Sequence, residues 1–196
     1  MYVSRITSEE KSTMGGYIAI AVAVVLTSVA VYFFFLAHQE KMEMRGFDPN
    51  RPVPSDEVLK RMLKTEEYFV VRQNGSETPF QNQFWNNERP GIYVDVITNE
   101  PLFTSLDKYD SGLGIPVFSK PISYDILVEK PDTSEGMQRT GVRVKRSDAH
   151  LGYLFGDPKS STGRRYSIYS AALHFIPKEK MAEEGFEAYM PLLRKK

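Results

Sequence analysis

The sequence predicts a mainly β, antiparallel domain carried behind one N-terminal transmembrane helix. Three observations predict it. An uncharged apolar run extends from Met14 to Ala37. Several short runs rich in aromatic and β-branched residues follow, separated by turn signals. They do not alternate with long helical patterns, as parallel βαβ units would require.

Residues 1–13 form a short polar N-terminus of mixed charge. The run 14–37 is about 24 residues long, enough to cross a ~30 Å hydrocarbon core at about 1.5 Å per residue. Tyr17 and the cluster Tyr32–Phe35 lie near its ends, where interfacial aromatics belong. A cleaved signal peptide is the alternative, but the run is longer than an ordinary signal core and no small-x-small cleavage site follows. Arg5 and Lys11 precede the span and Lys41, Arg45 and Arg51 follow it, a slight excess that puts the C-terminal domain on the cytosolic or matrix side.

Residues 38–54 read as a linker, stiffened by Pro49, Pro52 and Pro54. A short helix is expected after Ser55, a fitting N-cap, with Val58, Leu59, Met62 and Leu63 on a core-facing stripe. The β domain is expected over 55–190. Its expected strands are Tyr68–Arg72, Gly91–Ile97, Ile126–Glu129, Gly141–Lys145, Ala149–Phe155 and Arg165–Phe175. A short helix near Lys178 to Glu184 follows, and 191–196 form a basic tail.

The 196 residues include Lys+Arg 25 and Asp+Glu 25, so no charge excess draws the chain to nucleic acid. Cysteine is absent, which excludes disulfides, thiolate zinc sites and a cysteine nucleophile within this chain.

Two late stretches, His150-Leu151-Gly152-x-x-Phe155 and Arg165-Tyr166-x-Ile168-x-Ser170-Ala171-x-Leu173-x-Phe175, resemble the B-type methionine sulfoxide reductases. Earlier segments agree in family order: Ser76-Glu77-Thr78-Pro79-Phe80, Gly91-Ile92-Tyr93, Pro101–Ser105, Lys108–Gly114, Arg139-Thr140 and Ser147–Gly152. The resemblance covers about residues 57–190. It implies two antiparallel sheets with short peripheral helices.

The resemblance also implies an altered site. Ser167 stands where the family places its nucleophilic cysteine, and a hydroxyl cannot pass through the sulfenic acid and disulfide steps. Tyr153 replaces the second histidine, Tyr169 an asparagine, Gly141 a glutamate, and Ile115 the tryptophan that receives the substrate methyl. Leu113 lies where many members carry a resolving cysteine. His150 and Arg165 are retained, and His150 is read as a structural hydrogen-bonding residue. Zinc-bearing members carry two Cys-x-x-Cys pairs; the matching positions are Asp95 and Thr98, then Val144 and Ser147, a poor zinc set. No cofactor or metal is expected. The bulky Tyr153 and Tyr169 are expected to narrow or fill the pocket.

These changes lead to the expectation of a catalytically inactive, membrane-anchored accessory subunit of a membrane protein complex, contacting lipid and neighbouring subunits. In a eukaryote the inner mitochondrial membrane and its respiratory complexes are the expected home, with a thylakoid or bacterial membrane complex as the alternative. The alternatives are a module that binds methionine sulfoxide through Ser167 and Arg165, and a residual reductase.

Overall fold

The structure, a computed structural model, describes residues 17–36, 45–133 and 136–194. The polar N-terminus 1–13, both extremes of the expected span, linker residues 38–44 and the last two residues of the basic tail lie outside the described residues. The chain divides into two units, Met1–Arg45 and Gly46–Lys196.

The first unit holds helix α1, Tyr17–Leu36, which is 20 residues long and apolar enough to cross a membrane. Two of its hydroxyls are satisfied within the helix: those of Thr27 and Ser28 both donate to the Val24 carbonyl, at 2.9 and 2.8 Å. Such back-bonding lets hydroxyls tolerate a medium without water.

The second unit is the expected antiparallel β domain. Its strands are β1 (Gly91–Asp95), β2 (Pro101–Thr104), β3 (Val117–Phe118), β4 (Leu127–Asp132), β5 (Arg139–Val144), β6 (His150–Gly156), β7 (Arg164–Ile168) and β8 (Leu173–Pro177). One sheet has the order β2-β1-β8 and the other β3-β7-β6-β5-β4. Strand β1 alternates as its sequence implies and is covered on both faces. Tyr93 packs into the main core with Phe103, Phe118, Tyr166 and Ile168. Ile92 and Val94 face a second cluster with Ile176, Met181, Phe186 and Leu193. Phe103 and Phe118 stack at 4.4 Å between centroids, so the central aromatic layer bridges segments from both sheets. Each such ring contributes about 1.5–3 kcal/mol by leaving water.

Three elements differ from expectation. Tyr68–Arg72 lies in helix α3 (Thr65–Gln73), not in a strand. The Glu67 carboxylate accepts from the Lys64 amide at 2.9 Å and so caps the helix start. The helix then buries Val70 and Val71 and ends at Asn74 in a left-handed conformation. Helix α2 (Asp56–Met62) follows Ser55 as expected, but Ser55 makes no side-chain cap bond. Of its expected stripe only Leu59 is buried, while Val58 and Met62 stay 39% and 49% exposed. The expected helix near Lys178 to Glu184 is a 3-10 turn at Lys178–Lys180, and a longer 3-10 helix, Glu187–Leu193, takes in the start of the expected basic tail and buries Leu193.

The third difference positions the site. Arg165–Phe175 is not one strand. It leaves the five-stranded sheet after Ile168, makes a 3-10 turn at Ser170–Ala172, and enters the other sheet as β8. The turn is held by Glu77, whose buried carboxylate accepts from the amides of Ser170 and Ala171 at 2.6 and 2.5 Å. Burial raises the Glu77 pKa, and these two amide bonds oppose that rise.

Candidate functional site

The site is built on adjacent rows of strands β5, β6, β7 and β3. Gly141 pairs with Tyr153, Tyr153 with Ser167, and Ser167 with Val117. Residues directly opposite in an antiparallel sheet share a face, and alternation along β7 puts Arg165, Ser167 and Tyr169 on that face. Tyr166 and Ile168 point the other way, while Tyr153 and Tyr169 are themselves buried in the same hydrophobic cluster, so the face is packed by its two tyrosines.

A bulge brings His150 to this face. The β5–β6 register shifts between Val142 and Arg143, so Val142 pairs with Gly152 and Arg143 with His150. Leu151 is the extra residue, which reverses the alternation. Gly152 makes the bulge possible: its φ is +142°, and a Cβ there would meet the Ser167 carbonyl oxygen at 2.2 Å. The His150 ring consequently lies 5.3 Å from the Tyr153 ring and 6.0 Å from Tyr169, with the two tyrosines 6.5 Å apart.

His150 and Ser167 are only 3% and 4% exposed. Neither His150 Nε2 nor Ser167 Oγ has a hydrogen-bond partner among the described residues. Leaving a buried polar atom unsatisfied costs about 1–3 kcal/mol. His150 therefore departs, at Nε2, from its expected role as a structural hydrogen-bonding residue. Burial first, and then the positive charge of Arg143, push the His150 pKa down to about 4, with Asp132 opposing and Arg139 adding to the shift. The imidazole is neutral at ordinary pH.

The remaining predicted positions surround this pair. Tyr153 donates from its hydroxyl to Asp132 at 2.8 Å. The Arg139 guanidinium lies 4.2 Å from the Tyr153 ring centroid and 3.7 Å from the Asp132 carboxylate. The strand position opposite Tyr153 is Gly141, so the tyrosine finds its carboxylate on β4 instead. Arg165 is held by the Phe155 ring at 4.9 Å and by Asp157 at 3.6 Å. Half-buried Ile115 precedes Pro116, whose carbonyl accepts from the Ile168 amide at 2.9 Å. Leu113 is exposed on the loop before it. A groove of about 980 Å³ runs along β8, lined in part by His174, Phe175 and Arg89, and none of the site residues above lines it.

The four zinc-matching positions fall on two neighbouring turns. Asp95 is fully buried and accepts from the Thr98 hydroxyl at 2.6 Å, from the Thr98 and Ile97 amides, and from Ser147. Burial raises its pKa against these bonds. Val144 presents an alkyl group to the main core. One carboxylate, two hydroxyls and an isopropyl do not fit zinc, and the described residues contain no cluster of three His, Asp, Glu or Cys groups able to hold a metal. A hydrogen-bonded cluster joins the turns here.

Sequence reasoning missed Asp132, Arg139 and Asn82 as participants. Asn82 donates from its amide to the Gly114 carbonyl at 2.7 Å and accepts from the Ser170 hydroxyl at 2.7 Å. No local pattern announces such links, because they join residues far apart in the chain.

Residues 63–177 match the SelR domain family. Over 141 residues, 72% of this chain, the sequence is 45% identical to the peptide methionine sulfoxide reductase MsrA/MsrB of Vibrio cholerae serotype O1. The chain spans 37% of that relative's length. The relative's name corrects the expectation that this chain is not an enzyme, because a likeness of 45% to a named reductase points toward enzymatic function. The missing cysteine bears on where a thiol would come from.

Proposed function

Because this chain belongs to the SelR domain family, we propose that it binds the methionine sulfoxide side chain of a peptide and promotes its reduction by thiols supplied from outside the chain. The observation that carries this reading is the pair of buried polar atoms, Ser167 Oγ and His150 Nε2, with no partner among the described residues. A sulfoxide oxygen is a strong acceptor. The Ser167 hydroxyl can donate to it, and neutral imidazole can donate or accept beside it.

With no cysteine in the chain, the nucleophile belongs to a second molecule. Its thiolate attacks the sulfoxide sulfur, the S–O bond breaks, and the oxygen leaves as water after taking up two protons. A second thiol then attacks the first sulfur, forming a disulfide and releasing the thioether. The two thiols supply both electrons. Ser167 and His150 hold the oxygen and polarise the S–O bond, and no covalent bond forms to Ser167. Helix α1 would tether the domain to a bilayer, so that its substrates are peptides near a membrane surface.

The test is turnover of a methionine-R-sulfoxide peptide by the full chain in mild detergent, with dithiothreitol as the thiol. Mass spectrometry should show methionine peptide forming above the thiol-only rate, and Ser167→Ala should lower that excess roughly tenfold or more. A rate equal to dithiothreitol alone would remove the proposal. Extraction of native membranes with alkaline carbonate tests the tether, which predicts that the chain stays in the pellet.

A further inference from the structure

The loop between α3 and β1 is tied to both sides of the Ser167 face. On one side Glu77 accepts from the Ser170 and Ala171 amides, and the Phe84 amide donates to the Ser170 hydroxyl at 3.0 Å. On the other side the Phe80 amide and the Asn82 side chain both donate to the Gly114 carbonyl, each at 2.7 Å. Gly114 lies beside Ile115, on the segment that leads into Val117, the β3 partner of Ser167. Ser170 follows Tyr169. The loop therefore spans the rim of the face that holds Ser167.

Phe80 sits on this rim under unusual constraints. Its φ is +63°, a left-handed conformation that is an outlier for a bulky residue. Its ring lies over Gly114, where an added Cβ would stand 2.6 Å from Phe80 ring atoms and from its amide nitrogen. The ring is also edge-to-face with Trp85 at 5.2 Å between centroids. Yet Phe80 remains 55% exposed. A strained backbone persists only where its surroundings over-determine it, and here it presents an aromatic ring to solvent. Strain of this kind concentrates at ligand contacts.

We propose that Phe80, steadied by Trp85, is the apolar contact for a peptide whose methionine sulfoxide enters the Ser167 face. This inference rests on the function proposed above. The occupant is a peptide because the rim is a partly exposed aromatic pair beside backbone groups already satisfied, a surface suited to a thioether stem or an apolar flanking side chain.

Trp85 is the single tryptophan of the chain, so its fluorescence reports on this place alone. Titration of the full chain in detergent with a methionine-R-sulfoxide peptide should shift Trp85 emission, with affinity measured in parallel by calorimetry. The deciding variant is Phe80→Gly. Glycine adopts positive φ without strain, so the melting temperature should stay within about 3 °C of the parent. Peptide affinity should nevertheless fall about tenfold, the scale of one lost aromatic contact. Phe80→Tyr should keep the parent affinity. Phe80→Gly binding as tightly as the parent, while Ser167→Ala binds more weakly, would overturn this inference and leave the proposed function standing. A parent chain that binds no sulfoxide peptide would overturn both.

Discussion

Gly152 lies against the backbone of Ser167 so closely that a Cβ on the glycine would fall 2.2 Å from the Ser167 carbonyl oxygen. The position of His150 depends on this approach, because the bulge that turns its ring toward Tyr153 needs the Gly152 conformation. Gly152→Ala should therefore destabilise the domain by about 3 kcal/mol, from combined strain and backbone displacement. For a domain of this size that is a fall of roughly 6–12 °C in melting temperature. Differential scanning fluorimetry of the full chain in detergent measures it, and an unchanged midpoint would refute the bulge argument.

Ser167→Cys places a thiol between Tyr153 and Val117, on the face shared with Tyr169. If the sulfoxide sulfur comes within reach of residue 167, turnover with dithiothreitol should rise at least about tenfold, since a thiolate held in the site replaces one that must arrive from solution. Mass spectrometry of the peptide product is the readout. A rate equal to the parent would show that the sulfur is held elsewhere.

His150 gives a pH dependence with a definite sign. Its pKa falls from the ordinary 6.5 to about 4 on folding, because burial disfavours the imidazolium. The unfolded chain therefore takes up the proton first. The contribution to stability is fully present above about pH 6.5 and is lost as pH falls through about 4. The stability gap between the parent and His150→Asn should shift by about 3 kcal/mol against the parent between pH 7 and pH 4. Urea titrations at the two pH values measure that gap, and a constant gap would show that His150 keeps its ordinary pKa.

The buried Asp95 cluster predicts a response to mutation and indifference to chelation. Asp95→Ala strands the Thr98 hydroxyl and amide and the Ser147 hydroxyl. A loss of about 2–4 kcal/mol is expected from donors left buried without an acceptor. Incubation with a strong chelator should leave the melting temperature unchanged, and elemental analysis should find no stoichiometric zinc. A chelator-induced drop would show that a metal joins these turns.

Much of the fold is legible in the sequence because its signals are local. The alternation through Gly91–Asp95 and the run His150–Gly156 mark strands directly, and the ordered motifs single out Ser167 and Tyr153 by sequence alone. Two elements are misread because distant groups decide them. Tyr68–Arg72 has the β-branched look of a strand, but Glu67 caps a helix there and the core takes Val70 and Val71. Arg165–Phe175 reads as one strand, yet Glu77 binds the Ser170 and Ala171 amides from more than ninety residues away in sequence. The Asp132–Tyr153–Arg139 bracket is likewise invisible to periodicity, since it is made by side chains reaching across the paired strands β4, β5 and β6.

The change of sheet after Ile168 has a mechanical consequence. One continuous peptide leaves β7, rounds Tyr169 to Ala172 and becomes the outer strand β8 of the neighbouring layer. A force that pulls on Ser167 is thus transmitted along covalent bonds to both halves of the domain. Whatever pries the face open loads this seam, where the Glu77 carboxylate grips the Ser170 and Ala171 amides.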